Sequence, residues 1–310
     1  MLPFVLKRLA LAVPTLIAVS LIVFVVARLA PSGPVAILLG DKATTEQITR
    51  MNHLFGLDKP VAVQYAYYLR NIVLHADFGR AITRNIRISD MIKSDFPVTA
   101  QLAIQALLFA MAFGLPLGAL AALYHNSWLD RVAMLFVVMM VSVPSIVLGP
   151  VMMLVLGVKL RWLPVSGWDS PACTIMPMIA LGSRSAALLA RFMRASLLDV
   201  LKQDYIRTAI AKGLPKYKVV LKHGLKNAFL PVLTVLGTNF GALLTGSFVV
   251  ETLFVVPGIG HESIDSITRR DYPVIQGMSL LVAVIFILVN LGVDILYGFV
   301  DPRVRTQEEA

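Results

Sequence analysis

The side chains best placed to do chemistry in this chain are ionisable groups that interrupt long apolar stretches. Arg184 interrupts one stretch, and Asp294 interrupts another, with Asn290 one helical turn before it. A charge surrounded by hydrocarbon is costly, so each is a functional candidate. Arg184 would attract an anionic group across a water-filled passage, or else snorkel or pair within the protein. Asp294 could titrate in an ion-coupled carrier, although a buried hydrogen bond or ion pair is the simpler interpretation.

A polar stripe forms the second candidate. Thr234, Thr238, Gly241 and Thr245 recur at helical spacing along one apolar stretch, so they share a face. Such a stripe lines an aqueous passage or packs against a neighbouring helix, and the nearby polar residues favour a passage. The predicted translocation pathway is lined by Arg184, Thr238, Asn239, Thr245 and Ser247.

Motifs for catalysis and for nucleotide binding do not occur in the sequence. There is no G-x-x-x-x-G-K-[ST] phosphate loop, and no G-x-G-x-x-G follows a plausible strand. The five histidines lack the spacing of metal ligands, and a single cysteine excludes an internal disulfide and a cysteine metal site. We therefore expect that the chain is not an enzyme and that it holds no cofactor or metal of its own.

Membrane spans are the elements that must position these residues. Hydrophobic residues make up 57% of the chain and charged residues only 15%, where soluble domains carry about 25%. A helical span needs about 20 apolar residues. The predicted fold is all-α and polytopic, with six transmembrane helices: Leu9–Ala30, Thr99–Leu123, Val132–Val158, Cys173–Met193, Phe229–Val250 and Met278–Val300. The first span has no signal-peptide cleavage site and is predicted to remain as an anchor.

Basic residues set the orientation. Nine Lys and Arg stand against two Asp between Arg191 and Ala228, which supplies +7 of the formal net charge of +10. Because Lys and Arg concentrate in cytoplasmic loops, this loop, residues 124–131 and both termini are predicted inside. Segments 31–98, 159–172 and 251–277 are then outside. Few aromatic residues lie among these basic residues, so we expect no nucleic-acid binding. Contact of the loop with anionic lipid headgroups is the alternative interpretation of its charge.

The outer segment 31–98 is long enough to fold. Thr44 and Gln47 have the spacing of a capping box, which predicts a helix that ends at Gly56. A second helix is expected after Pro60, and Ser89 is expected to cap a third. The predicted divisions are therefore 1–30, 31–98, 99–305 with an inward loop at 194–228, and a tail at 306–310.

Glycine and proline positions predict how the spans pack and bend. Gly114 and Gly118, and likewise Gly237 and Gly241, form GxxxG pairs that allow close helix approach. Kinks are expected at the prolines within spans, which are Pro14, Pro116, Pro144 and Pro150.

The inward loop carries a resemblance to a known family. DYIRTAIAKGLPKYKVVLKHGLKNAFLPV, at 204–232, resembles the cytoplasmic signature loop of binding-protein-dependent ABC importer permeases, particularly the first permease of dipeptide and oligopeptide importers. RLAPSGPV at 28–35, GSFVVETLFVVPGIG at 246–260 and NLGVDILYGFVDPRVR at 290–305 agree in order. The general loop reads Glu-Ala-Ala, three residues, then Gly; here Arg207 and Thr208 replace the Glu and the first Ala.

The resemblance implies a multi-pass permease of the bacterial inner membrane, paired with a second, homologous permease. Two ABC ATPase subunits would carry ATP and Mg, and an extracytoplasmic binding protein would deliver the substrate. Di- and oligopeptides are the expected substrates, with nickel or glutathione as alternatives and an ion-coupled secondary carrier less favoured. The implied ATPase-coupling residues are Arg207, Thr208, Ala209, Lys212, Gly213, Leu214 and Pro215.

Overall fold

The computed structural model describes residues 2–29, 35, 39, 44–54 and 56–300. These residues form helices, turns and one isolated bridge between Arg80 and Arg87, which confirms the all-α prediction. The helices in chain order are α1 (Leu2–Leu29), α2 (Thr45–Leu54), α3 (Val61–His75), α4 (Ile88–Leu123), α5 (Trp128–Ser142), α6 (Ser145–Met152), α7 (Pro171–Leu201), α8 (Asp204–Ala211), α9 (Lys226–Gly246), α10 (Phe248–Phe254), α11 (Ile259–Thr268) and α12 (Tyr272–Val300). Helical turns at Lys216–Lys218 and a π-helix at Val219–Leu225 lead into α9.

Four helices in the described part of the chain are long and apolar enough to cross a membrane. They are Ile88–Leu123, Pro171–Leu201, Lys216–Thr245 and Tyr272–Val293. The pair α5 and α6, with the π-helix Met153–Lys159, is a fifth candidate, and α1 contains a shorter apolar stretch, Ala10–Val26. The count of six spans and their orientation stay predictions.

The third predicted span, Val132–Val158, is not one straight helix. Helices α5 and α6 meet at an angle of 99°. Pro144 has no N–H to continue the helix, and a residue that precedes proline is pushed out of the helical region. Val143 accordingly is extended, with φ −92° and ψ 112°. The predicted kink at Pro144 is confirmed, and the prediction that the bent pair forms one span stays a prediction.

The chain divides into two compact units, and the smaller comprises Leu6–Thr99 and Pro257–Ile287. In it, the Gln47 N–H donates to Thr44 Oγ1 at 3.3 Å and the Thr44 N–H donates to Gln47 Oε1 at 3.0 Å, so the capping box is confirmed. Helix α3 follows Pro60 as expected. The third predicted outer helix is wrong, because Ser89 lies inside the 36-residue helix α4 and caps nothing.

Buried polar contacts hold the smaller unit together, and none of them was predicted. The Asp271 carboxylate is 1% exposed and accepts the N–H groups of Ile82 and Thr83 at 3.1 and 2.9 Å. Arg84 pairs with Glu262, whose hydrogen bond raises the pKa of Arg84 and keeps it charged. Contacts from the 257–287 segment therefore fix the 82–84 turn.

The larger unit, which contains Ala100–Val256, is built on a close crossing of α4 and α7. A Cβ on Gly114 would lie 2.3 Å from the Ala186 carbonyl oxygen, and one on Gly118 would lie 2.2 Å from the Ala190 oxygen. The predicted close approach at this GxxxG pair is therefore confirmed. Helix α7 also packs against α9 through a buried apolar cluster that includes Leu189, Met193, Leu197, Val232 and Leu236.

Candidate functional site

Helix α8 lies in the basic loop and has a defined beginning and end. Asp204 in its first turn complements the positive end of the helix dipole. At its other end, Gly213 adopts φ +77°, its N–H donates to Ile210 O at 2.9 Å, and the Leu214 N–H donates to Ala209 O at 3.3 Å. These two bonds form a Schellman motif, which stops the helix where the glycine permits a left-handed conformation.

One side of α8 packs inward and fixes the orientation of the helix. Ile206 and Ala209 are buried against Val219, with Val200 and Leu201 beside them. Burying an isoleucine side chain contributes about 1.5–3 kcal/mol. The Asn227 side-chain amide also donates to the Tyr205 hydroxyl at 3.2 Å, which ties α8 to the first turn of α9. The opposite face of α8 is therefore held outward.

The exposed surface of α8 and of the chain that follows it combines apolar and basic side chains. We call this surface the knob face, and it consists of Tyr205, Arg207 and Ile210 of α8 together with Lys212, Leu214 and Tyr217 beyond its end, all of them exposed. Ile210 is 58% exposed and Tyr217 is 61% exposed. Exposed apolar groups among charges, on a rigid helix, are typical of a surface that binds another protein. The aromatic residues enriched in such interfaces supply most of their binding energy.

Six of the seven predicted coupling residues lie at the surface of this hairpin. Arg207, Thr208, Lys212, Gly213, Leu214 and Pro215 are exposed, whereas Ala209 is buried and faces Val219. Gly213 has no atom within 4 Å of the position that a Cβ would take, so its role is conformational. Pro215 precedes the turn Lys216–Lys218 and starts the return of the chain.

A buried ion pair anchors the helix that leads into α8, and no local sequence pattern indicates it. Arg194 Nε and Nη2 donate to the two oxygens of Asp130, each at 2.7 Å, and the Asn126 N–H donates to Asp130 Oδ2 at 3.0 Å. Asp130 is only 4% exposed, and His125 Nδ1 lies 3.1 Å from Arg194 Nη2. The pair joins residues 124–130 to α7, ten residues before α8. An i, i+4 pattern cannot reveal a pair separated by 64 residues.

One predicted pathway residue, Asn239, joins α9 to α7. Ser185 Oγ donates to Asn239 Oδ1 at 3.2 Å, and the Asn239 amide donates to Val235 O at 2.9 Å. Arg184 is adjacent to Ser185 in sequence, and Thr238 is adjacent to Asn239. This bond therefore places Arg184 and Thr238 at the same height along α7 and α9. Both side chains are exposed. Thr238 and Asn239 lie near the middle of the predicted span Phe229–Val250, and Arg184 lies near the middle of the predicted span Cys173–Met193.

Two other predicted pathway residues have different surroundings. The Thr245 hydroxyl donates to Gly241 O at 3.2 Å and is half-buried. Ser247 has no exposed surface, and its hydroxyl donates to Leu244 O at 3.2 Å. Ser247 is therefore enclosed within the larger unit, and its place in the predicted pathway stays a prediction. The side chain of Asp294 lies outside the described residues.

Comparison with known proteins identifies the family. The family described as "Binding-protein-dependent transport system inner membrane component" matches residues 114–306, and "Binding-prot-dependent transport system membrane comp, N-term" matches residues 1–103. The chain belongs to this family. It is therefore an inner-membrane permease of the ABC importers that depend on a binding protein, and a multi-pass protein of the bacterial inner membrane.

Relatives of this permease match along nearly its whole length. The glutathione transport system permease protein GsiC of Salmonella choleraesuis (strain SC-B67) is 44% identical over 98% of this chain and 99% of its own. GsiC of Escherichia coli (strain K12) is 43% identical over the same shares. The MetNI methionine ABC transporter, in an inward-facing conformation, has a TM-score of 0.57 at 18% identity, over 68% of this chain and 96% of that chain. An amino acid ABC transporter gives a TM-score of 0.51 at 19% identity, over 69% and 94%. The two structures show that the fold is shared.

Family membership gives the permease a transport role and implies partners that carry substrate and hydrolyse nucleotide. Sequence reasoning found the basic loop but missed the apolar half of the knob face, Tyr205, Ile210 and Tyr217. Spacing alone does not reveal these residues, because Ile206, Ala209 and Ile210 stand at i, i+3 and i+4 and would be assigned to one apolar face. Tyr217 lies beyond the end of α8, where helical spacing does not apply.

Proposed function

We propose that this permease is one of two homologous permease subunits of an ATP-driven importer, and that the knob face binds an ABC ATPase subunit. The observation that carries the proposal is the exposed, glycine-terminated helix α8, held rigidly by its buried side. Two ATPase subunits would hold ATP and Mg, and their closure would move α8 together with α7 and α9. An extracytoplasmic binding protein would deliver the substrate.

Small peptides are the substrate class that we propose. The resemblance to first permeases of dipeptide and oligopeptide importers supports this class. The GsiC relatives are named for glutathione transport, and glutathione is itself a tripeptide. Glutathione is therefore the first substrate to test, followed by dipeptides, longer peptides and a nickel chelate.

Reconstitution into proteoliposomes tests the proposal. One sample holds this permease alone, and the other holds it with the second permease, the two ATPases and the binding protein. We expect uptake of radiolabelled glutathione or dipeptide only in the complete sample, and only with Mg-ATP on the ATPase side. Uptake by the permease alone under an ion gradient would establish a secondary carrier and refute the proposal. Uptake of nickel with no peptide uptake would overturn the peptide substrate and leave the importer standing.

A further inference from the structure

Arg184 occupies an unusual place on α7. The helix is largely enclosed by its neighbours, and the adjacent Ser183 and Ser185 are buried at 4% and 5% exposure. Arg184 is nevertheless exposed, and the same helical face continues to the exposed residues Arg191 and Ala195. One stripe of α7 is therefore left uncovered by this chain, and Arg184 is the charged residue nearest the middle of the predicted span.

Among the residues that the structure describes, which do not include the side chain of Asp294, the guanidinium of Arg184 forms no ion pair and no hydrogen bond. By contrast, Arg194, ten residues later on the same helix, is fully paired with Asp130. An unpaired arginine at mid-span is costly in hydrocarbon, so such residues face a water-filled cavity or a partner group.

Polar groups on the neighbouring helix lie at the same level. The bond between Ser185 and Asn239 holds the two helices in register, and Thr238 is exposed beside Asn239. A guanidinium with hydroxyl and amide groups at its level suits an anion. A carboxylate suits it best, because the planar fork of arginine donates two parallel hydrogen bonds to the two oxygens.

We infer that Arg184 is a specificity-determining residue of the passage, where it binds a carboxylate of the peptide at mid-membrane and favours anionic peptides. This inference rests on the proposed function, since it needs a peptide that crosses the membrane along α7 and α9. A carboxylate of the second permease and an interfacial lipid phosphate are the competing partners of Arg184, and the experiments below separate them.

The first experiment measures selectivity in the complete importer. Initial rates of ATP-driven uptake are compared for glutathione and for the same tripeptide with both carboxylates amidated, each at saturating binding protein. We expect the ratio of the uptake rate of glutathione to that of the neutral peptide to fall about tenfold in Arg184→Gln. The ratio should fall by a smaller factor in Arg184→Lys, because lysine keeps the positive charge but lacks the two parallel N–H donors of arginine. Arg191→Gln, on the same face seven residues later, is the matched control and should keep the wild-type ratio.

The outcomes distinguish the two proposals. A wild-type importer that takes up no peptide of any kind would overturn the proposed substrate class and this inference with it. A wild-type importer that works, with the same ratio in Arg184→Gln, would overturn this inference alone. Equal loss of both substrates in Arg184→Gln would also overturn it, and would indicate an ion pair with the second permease.

The second experiment does not depend on transport by the variant. Cys173 is the only cysteine, so Arg184→Cys in a Cys173→Ala background presents a single thiol. We expect a water-borne methanethiosulfonate reagent that carries an ammonium group to label this thiol, and S-methylglutathione, which has no free thiol to react with the reagent, to slow the labelling. A thiol that no aqueous reagent reaches would place residue 184 against lipid or protein and would overturn the inference.

Discussion

The loop helix α8 and the crossing of α4 with α7 both depend on glycine, for opposite physical reasons. Gly213 at the end of α8 has φ +77°, and no atom lies within 4 Å of where a Cβ would be. Gly114 is an ordinary helical residue, but its Cβ would lie 2.3 Å from the Ala186 carbonyl oxygen. The first site needs a backbone conformation and the second needs space. Substitutions should therefore harm function at α8 and folding at the crossing.

Gly114→Leu should produce the largest effect. The atom that it would meet is backbone, which cannot move aside as a side chain would, so α4 and α7 would have to separate. We expect no folded permease to be recovered, measured as the monodisperse yield in detergent. Gly292→Ala is the matched control, because no atom lies within 4 Å of its Cβ position, and it should purify normally. Normal recovery of Gly114→Leu would show that the crossing is looser than the structure has it.

The next largest effect is expected from breaking the buried ion pair of Asp130 with Arg194, and a much smaller one from breaking the exposed ion pair in α8. Asp130→Ala leaves Arg194 without its partner in a buried site, and we expect a loss of about 3–5 kcal/mol of unfolding free energy. The exposed pair of Asp204 and Arg207 in α8, 3.6 Å apart, should give less than about 1 kcal/mol when Asp204 is changed to Ala. Denaturant unfolding in detergent measures both. Similar losses for the two variants would contradict the burial of Asp130.

Gly213→Val should have a smaller effect on stability and a large one on coupling. A non-glycine residue in the left-handed conformation costs about 1–2 kcal/mol, and a β-branched residue tolerates it least. We expect ATP-driven uptake to fall several-fold while the permease purifies normally. Gly213→Asn is the matched control, since asparagine adopts this conformation readily, and it should transport close to wild type. Equal losses for Val and Asn would mean that the glycine is needed for contact and not for φ.

The fold could be predicted from the sequence wherever a local rule decides it. The Thr44–Gln47 capping box, the break at Pro144 and the Gly114–Gly118 approach all follow from short-range chemistry, and the structure has each of them. The bend of 99° at Pro144 could not be predicted in size, because proline removes a hydrogen bond without setting the angle that follows. The merger of the Ser89 helix into α4 escaped prediction because Pro97, which stands between the two predicted helices, lies inside α4 without ending it.

The candidate site was less predictable, because its contacts join distant parts of the chain. The basic character of the loop around α8 follows from composition, and the unusual position of Arg184 follows from hydropathy. The pairing of Asp130 with Arg194 and that of Ser185 with Asn239 join residues more than 50 positions apart. Periodicity also places a polar stripe on α9, but only the packing shows that Thr238 is exposed while Ser247 is enclosed.

Tyr217→Ala should have the smallest effect on the fold and tests the knob face most directly. The side chain is 61% exposed, so its removal takes away almost no internal packing, and the unfolding free energy should stay within about 0.5 kcal/mol of wild type. Aromatic residues at the centre of an interface contribute about 2 kcal/mol or more to binding, so the affinity for the ATPase subunits should fall by about 30-fold. Tyr124→Ala, at a tyrosine that is 52% exposed between α4 and α5, is the matched control. If the two variants bind the ATPases equally well, the apolar half of the knob face has no part in docking. The basic residues alone would then have to hold the subunits together, and exposed ion pairs contribute little to binding.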